Sequence, residues 1–192
     1  RVITIDPAFK GTHNWGEGDD AAIEVWNLER RGAFIYRTLL DGISSNELSS
    51  TDGEGEIFRL MNLYGVIDVA PEERGGFTFS TGLTHAAASR GLPINIIRLK
   101  SVTTSFDQRV GLMFKEAEGG RVAIAKECNH GLATKFLDQV ANYQGPDSLP
   151  HDDAIDAGGY AFDPAISENY APRFNRRGSN LPPWLMEKKQ DE

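Results

Sequence analysis

Short apolar runs alternate with stretches of helical periodicity along most of this chain. The runs are rich in β-branched residues and end at polar or glycine-containing turns, which is typical of strands. They predict strands over residues 2–6, 21–28, 33–40, 66–69, 94–99 and 121–125. Apolar residues at helical spacing predict helices between residues 49 and 65, over 77–90, 106–117 and 132–143, and from about residue 150 onward.

The first three predicted strands differ from the later ones in how they are connected. The charged turn Glu29–Gly32 joins the second and third strands directly, which predicts an antiparallel meander. The later strands are separated from one another by helices. This order predicts an α/β fold built on a mixed sheet, with three antiparallel strands followed by alternating helices and strands, and with helices flanking the sheet.

The sequence changes character after Phe162, where prolines and arginines punctuate a polar segment. We therefore predict one domain over residues 1–162 and a Pro/Arg-containing C-terminal tail over 163–192, extended or partly disordered. At the other end, a strand begins at Val2 behind Arg1 rather than behind a methionine. That start predicts a domain cut from a longer protein.

Composition bears on the compartment in which the chain works. No apolar run approaches the length that spans a bilayer, and the N-terminus lacks the charged-then-apolar pattern of a signal peptide. We therefore expect neither membrane insertion nor secretion. The single cysteine, Cys128, excludes an internal disulfide and fits a reducing compartment.

Charge is distributed unevenly along the 192 residues. The formal net charge is −8, yet residues 90–135 carry eight basic and four acidic side chains. Such a segment could follow a phosphate backbone, and equally could consist of scattered solvated charges. The candidate contacts to a nucleic-acid backbone within it are Arg98, Lys100, Arg109 and Arg121.

Carboxylates occur where three predicted elements begin or end. Asp6 closes the first strand, Asp68 lies in the fourth, and the run His151–Asp156 opens the last helix. A buried charge is costly unless it is paired or binds a metal, and converging carboxylates are the usual ligands of hard divalent cations. Two such ions about 4 Å apart can activate water and stabilise the leaving oxygen of a phosphodiester. The pattern predicts a site for two Mg²⁺ or Mn²⁺ ions.

These acidic residues occur in the same order as in a known protein family. The relevant runs are Ile5-Asp6-Pro7-Ala8 with Asp19-Asp20-Ala21-Ala22, Val66-Ile67-Asp68-Val69, Asp107-Gln108-Arg109-Val110 with Gly120-Arg121-Val122, and His151-Asp152-Asp153-Ala154-Ile155-Asp156-Ala157. Over about residues 2–162 the chain resembles the C-terminal nuclease domain of the large terminase subunit, the DNA-packaging motor of tailed bacteriophages.

The resemblance implies an RNase H-like fold and a metal-dependent endonuclease that cleaves concatemeric viral DNA during packaging. It implies double-stranded DNA as substrate, a preceding ATPase domain, and the portal and small terminase subunit as partners, in the cytoplasm of an infected bacterial host. No Gly-Lys-Ser/Thr phosphate-binding loop occurs in this chain, as expected if the ATPase half is absent.

The residues and the resemblance together give a set of site assignments. We predict Asp6, Asp68 and Asp153 as catalytic, and Asp6, Asp68, Asp152 and Asp153 as metal ligands. Among the late aspartates Asp153 is favoured as the direct ligand, with Asp152 as close support. Asp156, His151 and Asp20 are possible supporting residues. Many members of that family carry Glu at the position that corresponds to Asp68. Glu72 and Glu73, which follow shortly after it, are interpreted as solvated loop charges.

Two other functions fit part of the pattern. The run Asp156-Ala157-Gly158-Gly159 superficially resembles the phosphate-gripping loop of an actin-like or sugar-kinase-like phosphotransferase, although it follows a predicted helix start rather than a strand. A non-catalytic scaffold with an acidic metal site is the other possibility. Metal-dependent DNA nicking, ATP binding, or neither would distinguish the three.

Overall fold

The computed structural model describes residues 1–7, 21–72, 78–99, 105–145, 148–149 and 152–170. In these residues the strands are β1 (Val2–Asp6), β2 (Ala21–Arg31), β3 (Phe34–Ser45), β4 (Asp68–Pro71), β5 (Asn95–Ile96) and β6 (Val122–Ile124). The helices are α1 (Ser50–Tyr64), α2 (Thr78–Ser89), α3 (Phe106–Glu118), α4 (His130–Asn142), α5 (Asp153–Tyr160) and α6 (Pro164–Asn169).

The described strands form one mixed sheet in the order β5-β4-β1-β2-β3-β6. Strand β2 runs antiparallel to both β1 and β3, whereas β4 is parallel to β1, β5 to β4, and β6 to β3. Five strands therefore point the same way. We call the sheet edge where these five strands end the carboxyl edge, and the edge where they begin the amino edge.

Successive side chains of β1 point to opposite faces of the sheet, and each face has its own hydrophobic core. Ile3 and Ile5 face one side, where they pack with residues of α1 and α2. Val2 faces the other side, where α3, α4 and α5 cover the sheet. All five residues of β1 are buried because helices cover both faces of this central strand. The predicted α/β fold with a mixed sheet is confirmed.

Helix α1 follows closely from local sequence signals. The Ser49 side chain accepts a hydrogen bond of 3.1 Å from the Asp52 backbone N–H, and Gly65 ends the helix with φ of 61°. Between these caps, apolar residues such as Ile57 and Leu60 face the sheet. Capping satisfies backbone groups that a helix leaves unpaired at its ends. The predicted bounds of this helix are therefore confirmed.

Strand bounds were predicted less well. Strand β4 occupies Asp68–Pro71 rather than residues 66–69, β3 extends to Ser45, and β5 covers only Asn95–Ile96. The reason is that backbone pairing, rather than apolar composition, decides where a strand begins. In the parallel register, Ile3 of β1 lies opposite Val69 of β4.

The segment after Phe162 is folded as far as residue 170. The Asp163 side chain accepts a hydrogen bond of 2.8 Å from the Ala165 backbone N–H at the start of α6, and Ile166 is fully buried. Arg37 donates from Nε to the Ala161 carbonyl oxygen (2.9 Å) and from Nη2 to the Ser167 hydroxyl (3.0 Å). The expectation of an extended tail is therefore wrong for residues 164–169, and residues 171–192 of that tail lie outside the described residues.

Among the helices that the structure describes, none is both long and apolar enough to cross a membrane.

Candidate metal centre

Asp6 and Glu72 lie side by side at the carboxyl edge. Asp6 is the last residue of β1 and Glu72 directly follows β4, where its backbone N–H donates to the Ile5 carbonyl oxygen (2.9 Å). The parallel register pairs Ile5 with Pro71, so that the next residues of the two strands, Asp6 and Glu72, are neighbours. Each side chain is only 6% exposed. This is the juxtaposition of carboxylates at neighbouring strand ends that the sequence predicted, but with a different second member.

Asp68 lies at the opposite edge of the sheet. It begins β4, so it belongs to the amino edge, and its carboxylate is engaged there. Asn95 donates from Nδ2 to one oxygen (2.7 Å) and the Tyr170 hydroxyl donates to the other (2.9 Å). The expectation that Asp6 and Asp68 lie side by side is wrong because β4 starts two residues later than predicted. Glu72, interpreted as a solvated loop charge, is buried at the position assigned to Asp68.

One face of α5 turns toward these carboxylates. Asp153, Asp156 and Tyr160 follow one another at spacings of three and four residues, and therefore share a helix face. All three side chains are buried. Burial raises the pKa of the Tyr160 hydroxyl well above its usual value, and the charges of Asp156, Asp6 and Glu72 raise it further. The Tyr160 side chain is therefore within electrostatic reach of both strand-end carboxylates.

The two adjacent aspartates at the start of α5 differ in environment. Asp152 is the exposed N-cap residue and its side chain makes no capping hydrogen bond. Asp153 is 5% exposed and sits in the first turn of the helix. Gln139 of α4 holds this turn in place, since its Oε1 atom accepts a hydrogen bond of 2.8 Å from the Ile155 N–H. Geometry therefore favours Asp153 over Asp152 as a ligand.

Arg109 is part of the protein interior rather than a surface for DNA. Its Nη2 atom lies 2.5 Å from Asp156 Oδ1, and the side chains of this ion pair are 4% and 5% exposed. The guanidinium also stacks over the Tyr160 ring, 4.6 Å from its centroid. The prediction that Arg109 contacts DNA is wrong because its charge is used to compensate a buried carboxylate.

The other predicted DNA contacts lie in different places. Arg98 is exposed two residues after β5, which puts it at the carboxyl edge. Arg121 precedes β6 and donates from Nε to Glu116 Oε2 (2.5 Å). It therefore lies at the amino edge, opposite the edge that carries Asp6 and Glu72. Lys100, like the supporting candidates His151 and Asp20, lies outside the described residues.

Lys135 belongs to the basic segment of residues 90–135 but was not among the predicted site residues. It lies on α4, where burial lowers the pKa of its ammonium group and the charge of Asp153 partly offsets that effect. It also lines a groove of about 650 Å³ along α4 together with His130, Thr134 and Asp138. A lone lysine on a helix gives no sequence signal. Glu72, by contrast, did have a sequence signal, because it directly follows an apolar run that forms a strand.

The donor chemistry of this group fits a hard divalent cation. Asp6, Glu72, Asp153 and Asp156 offer only carboxylate oxygens, which Mg²⁺ and Mn²⁺ prefer. The arrangement is open, however: within the described ranges, no three His, Cys, Asp or Glu side chains are already placed to hold one ion. Metal binding would therefore draw the carboxylates together, because the charge of the cation offsets the repulsion between them.

The sheet order, with helices on both faces and acidic residues at the carboxyl edge, defines an RNase H-like fold, as predicted. Among the solved structures that resemble the chain are three terminase nuclease domains. The large terminase nuclease from the thermophilic phage G20c, with bound magnesium, has 17% sequence identity and a TM-score of 0.53, with 84% of this chain and 79% of that chain covered.

The other two are also terminase nuclease domains. That of phage P22 has 15% identity and a TM-score of 0.54, with 87% and 84% of the two chains covered. That of human cytomegalovirus has 13% identity and a TM-score of 0.54, with 87% and 86% covered. No family model and no curated protein matches the sequence. The likeness is therefore one of fold.

Proposed function

We propose that this domain is a metal-dependent nuclease that cleaves DNA at the carboxyl edge of its sheet. The observation that carries the proposal is the pair Asp6 and Glu72 on neighbouring parallel strands, with α5 and its buried aspartates packed against β1. Asp6, Glu72 and Asp153 are the proposed ligands of Mg²⁺ or Mn²⁺. Asp68 is not among the proposed metal ligands, because it lies at the amino edge.

Each element has a separate task in this proposal. Strands β1 and β4 fix Asp6 and Glu72 through their backbone pairing, and α5, which packs on β1, would supply Asp153. When bound, two divalent ions would supply an activated water and charge stabilisation for the departing oxygen. Arg98, exposed at the same edge, is the proposed contact to the DNA backbone.

The finer biological role is also a proposal. Since the three similar structures are terminase nuclease domains, we propose that the substrate is concatemeric viral DNA cut during genome packaging. A preceding ATPase domain, the portal and the small terminase subunit would be its partners, in the cytoplasm of an infected bacterial host. Little sequence preference is expected, because phosphate contacts carry no base information.

A phosphotransferase of the actin or sugar-kinase type is less well supported. Gly158 and Gly159, which resembled part of a phosphate-binding loop, lie inside α5. A Cβ atom added at Gly158 would lie 2.5 Å from the Phe136 ring, so this glycine serves close helix packing. No observation favours the scaffold either.

The proposal is tested by incubating supercoiled plasmid with the protein and either Mn²⁺ or Mg²⁺. We expect open-circular and linear products with metal, and none after chelation with EDTA. Asp6→Asn should abolish the products while the protein remains folded, which a thermal melt verifies. Cutting that survives EDTA, or a folded wild-type protein that never cuts in either metal, would refute the proposal.

A further inference from the structure

Both carboxylate oxygens of Asp156 are already occupied by donors from the protein. Arg109 Nη2 lies 2.5 Å from Oδ1, and the Tyr160 hydroxyl donates to Oδ2 at 3.1 Å. The guanidinium is stacked on the Tyr160 ring, 4.6 Å from the centroid, which fixes the two donors relative to each other. We call these three residues the Asp156 clamp.

The clamp lies beside the proposed metal ligands. The Tyr160 hydroxyl is within electrostatic reach of both Asp6 and Glu72, and Asp153 precedes Asp156 by one turn on the same helix face. Arg109 comes from α3, on which Gly159 packs so closely that an added Cβ would lie 3.4 Å from the arginine Cβ. An arginine keeps its charge at any pH that a protein tolerates. A permanent positive charge is therefore built in beside the carboxylates.

We propose that Arg109 and Tyr160 are positioning residues that withhold Asp156 from the metal and leave Asp153 as the ligand from α5. This inference rests on the proposed function and deepens it. Without the clamp, α5 would present two buried carboxylates to the ions, and the added negative charge would change how tightly and where they bind. Helix α3 thus sets the charge of the metal site although it contributes no ligand.

The test measures Mn²⁺ affinity, by electron paramagnetic resonance titration without DNA, in a double-mutant cycle. Arg109→Met removes the positive charge beside Asp156 and should tighten Mn²⁺ binding, by about tenfold. Asp156→Asn removes the negative charge beside Arg109 and should weaken binding, by about tenfold. The double variant restores the charge balance and should bind within about threefold of wild type.

Arg109→Lys separates charge from orientation. Lysine keeps the charge but loses the planar fork and the stacking on Tyr160. We therefore expect Mn²⁺ affinity close to wild type together with a fall in kcat for plasmid nicking and little change in KM. A thermal melt of each variant shows how much of any effect is unfolding. If Arg109→Met does not fold, the rescue of Asp156→Asn by the second substitution carries the test.

Several results would overturn the clamp. Shifts of Mn²⁺ affinity in the same direction for Arg109→Met and Asp156→Asn would show a purely structural role. So would a double variant no better than Asp156→Asn. Loss of Mn²⁺ binding in Asp156→Asn but not in Asp153→Asn would identify Asp156 as the ligand. A wild-type protein that binds no Mn²⁺ would instead refute the proposed function itself.

Discussion

Glu24, at the centre of the sheet, is a buried carboxyl group that the proposed chemistry does not use. It lies on β2 opposite Thr4 of β1, its side chain is fully buried, and Trp26 Nε1 donates to its Oε2 atom (2.8 Å). Burial raises the pKa of this group from 4.5 to about 8, and the Trp26 hydrogen bond only partly opposes that effect. Glu24 is therefore protonated in the folded protein at neutral pH.

This carboxyl group makes stability depend on pH. The unfolded chain loses the Glu24 proton above about pH 4.5 while the folded chain keeps it to about pH 8, so the free energy of unfolding should fall as pH rises through that interval. At about 1.4 kcal/mol per pKa unit, the loss is on the order of 3–5 kcal/mol.

Glu24→Gln removes the titrating group, so urea unfolding at several pH values should show the wild-type free energy of unfolding falling relative to the variant between pH 5 and 8. Parallel curves for the two proteins would contradict this account of Glu24.

Helix α5 packs close to both α4 and the sheet because Gly158 has no side chain at the point of contact. A Cβ atom at Gly158 would lie 2.5 Å from Phe136 Cε2 and 3.3 Å from Glu24 Oε2. Any side chain there would push α5 away from the sheet or displace Phe136. Because α5 also carries Asp153, the position of this helix controls the site as well as the core.

Gly158→Ala should therefore destabilise the protein by about 1–3 kcal/mol and slow metal-dependent nicking. The matched control is Gly111→Ala in α3, where an added Cβ meets nothing within 4 Å. That substitution should be neutral or stabilising by up to about 1 kcal/mol, since alanine is the better helix former. Thermal melts and nicking rates of both variants check the pair; equal effects would show that the close approach at Gly158 is unimportant.

At the scale of the whole molecule, the sequence predicted best what local signals determine. Helix α1 was predicted correctly because Ser49 and Gly65 mark its ends within the chain itself. The mixed sheet was predicted from the order of the elements: a short turn joins the second and third strands, whereas helices separate the later strands. Of the two carboxylates predicted at neighbouring strand ends, Asp6 does end β1, because the limit of that apolar run coincides with the end of the strand.

The errors arose where a distant segment decides the outcome. The apolar run 66–69 looked like a strand, but pairing with β1 starts β4 at Asp68 and thereby exchanges Asp68 for Glu72 at the carboxyl edge. Arg109 looked like any basic residue until the fold placed it on Asp156. Helix α6 was missed although Asp163 caps its start, and Arg37, more than a hundred residues earlier, donates a hydrogen bond to Ser167 within it.

The most direct test of the account compares Glu72→Gln with Asp68→Asn in Mn²⁺-dependent plasmid nicking. Both substitutions remove one charge and keep the size of the side chain, but the first is at the carboxyl edge beside Asp6 and the second is at the amino edge. With both variants shown to be folded by thermal melts, Glu72→Gln should lose more than about a hundredfold in rate, whereas Asp68→Asn should stay within about threefold of wild type. Normal cutting by Glu72→Gln together with an inactive Asp68→Asn would contradict the proposed metal centre.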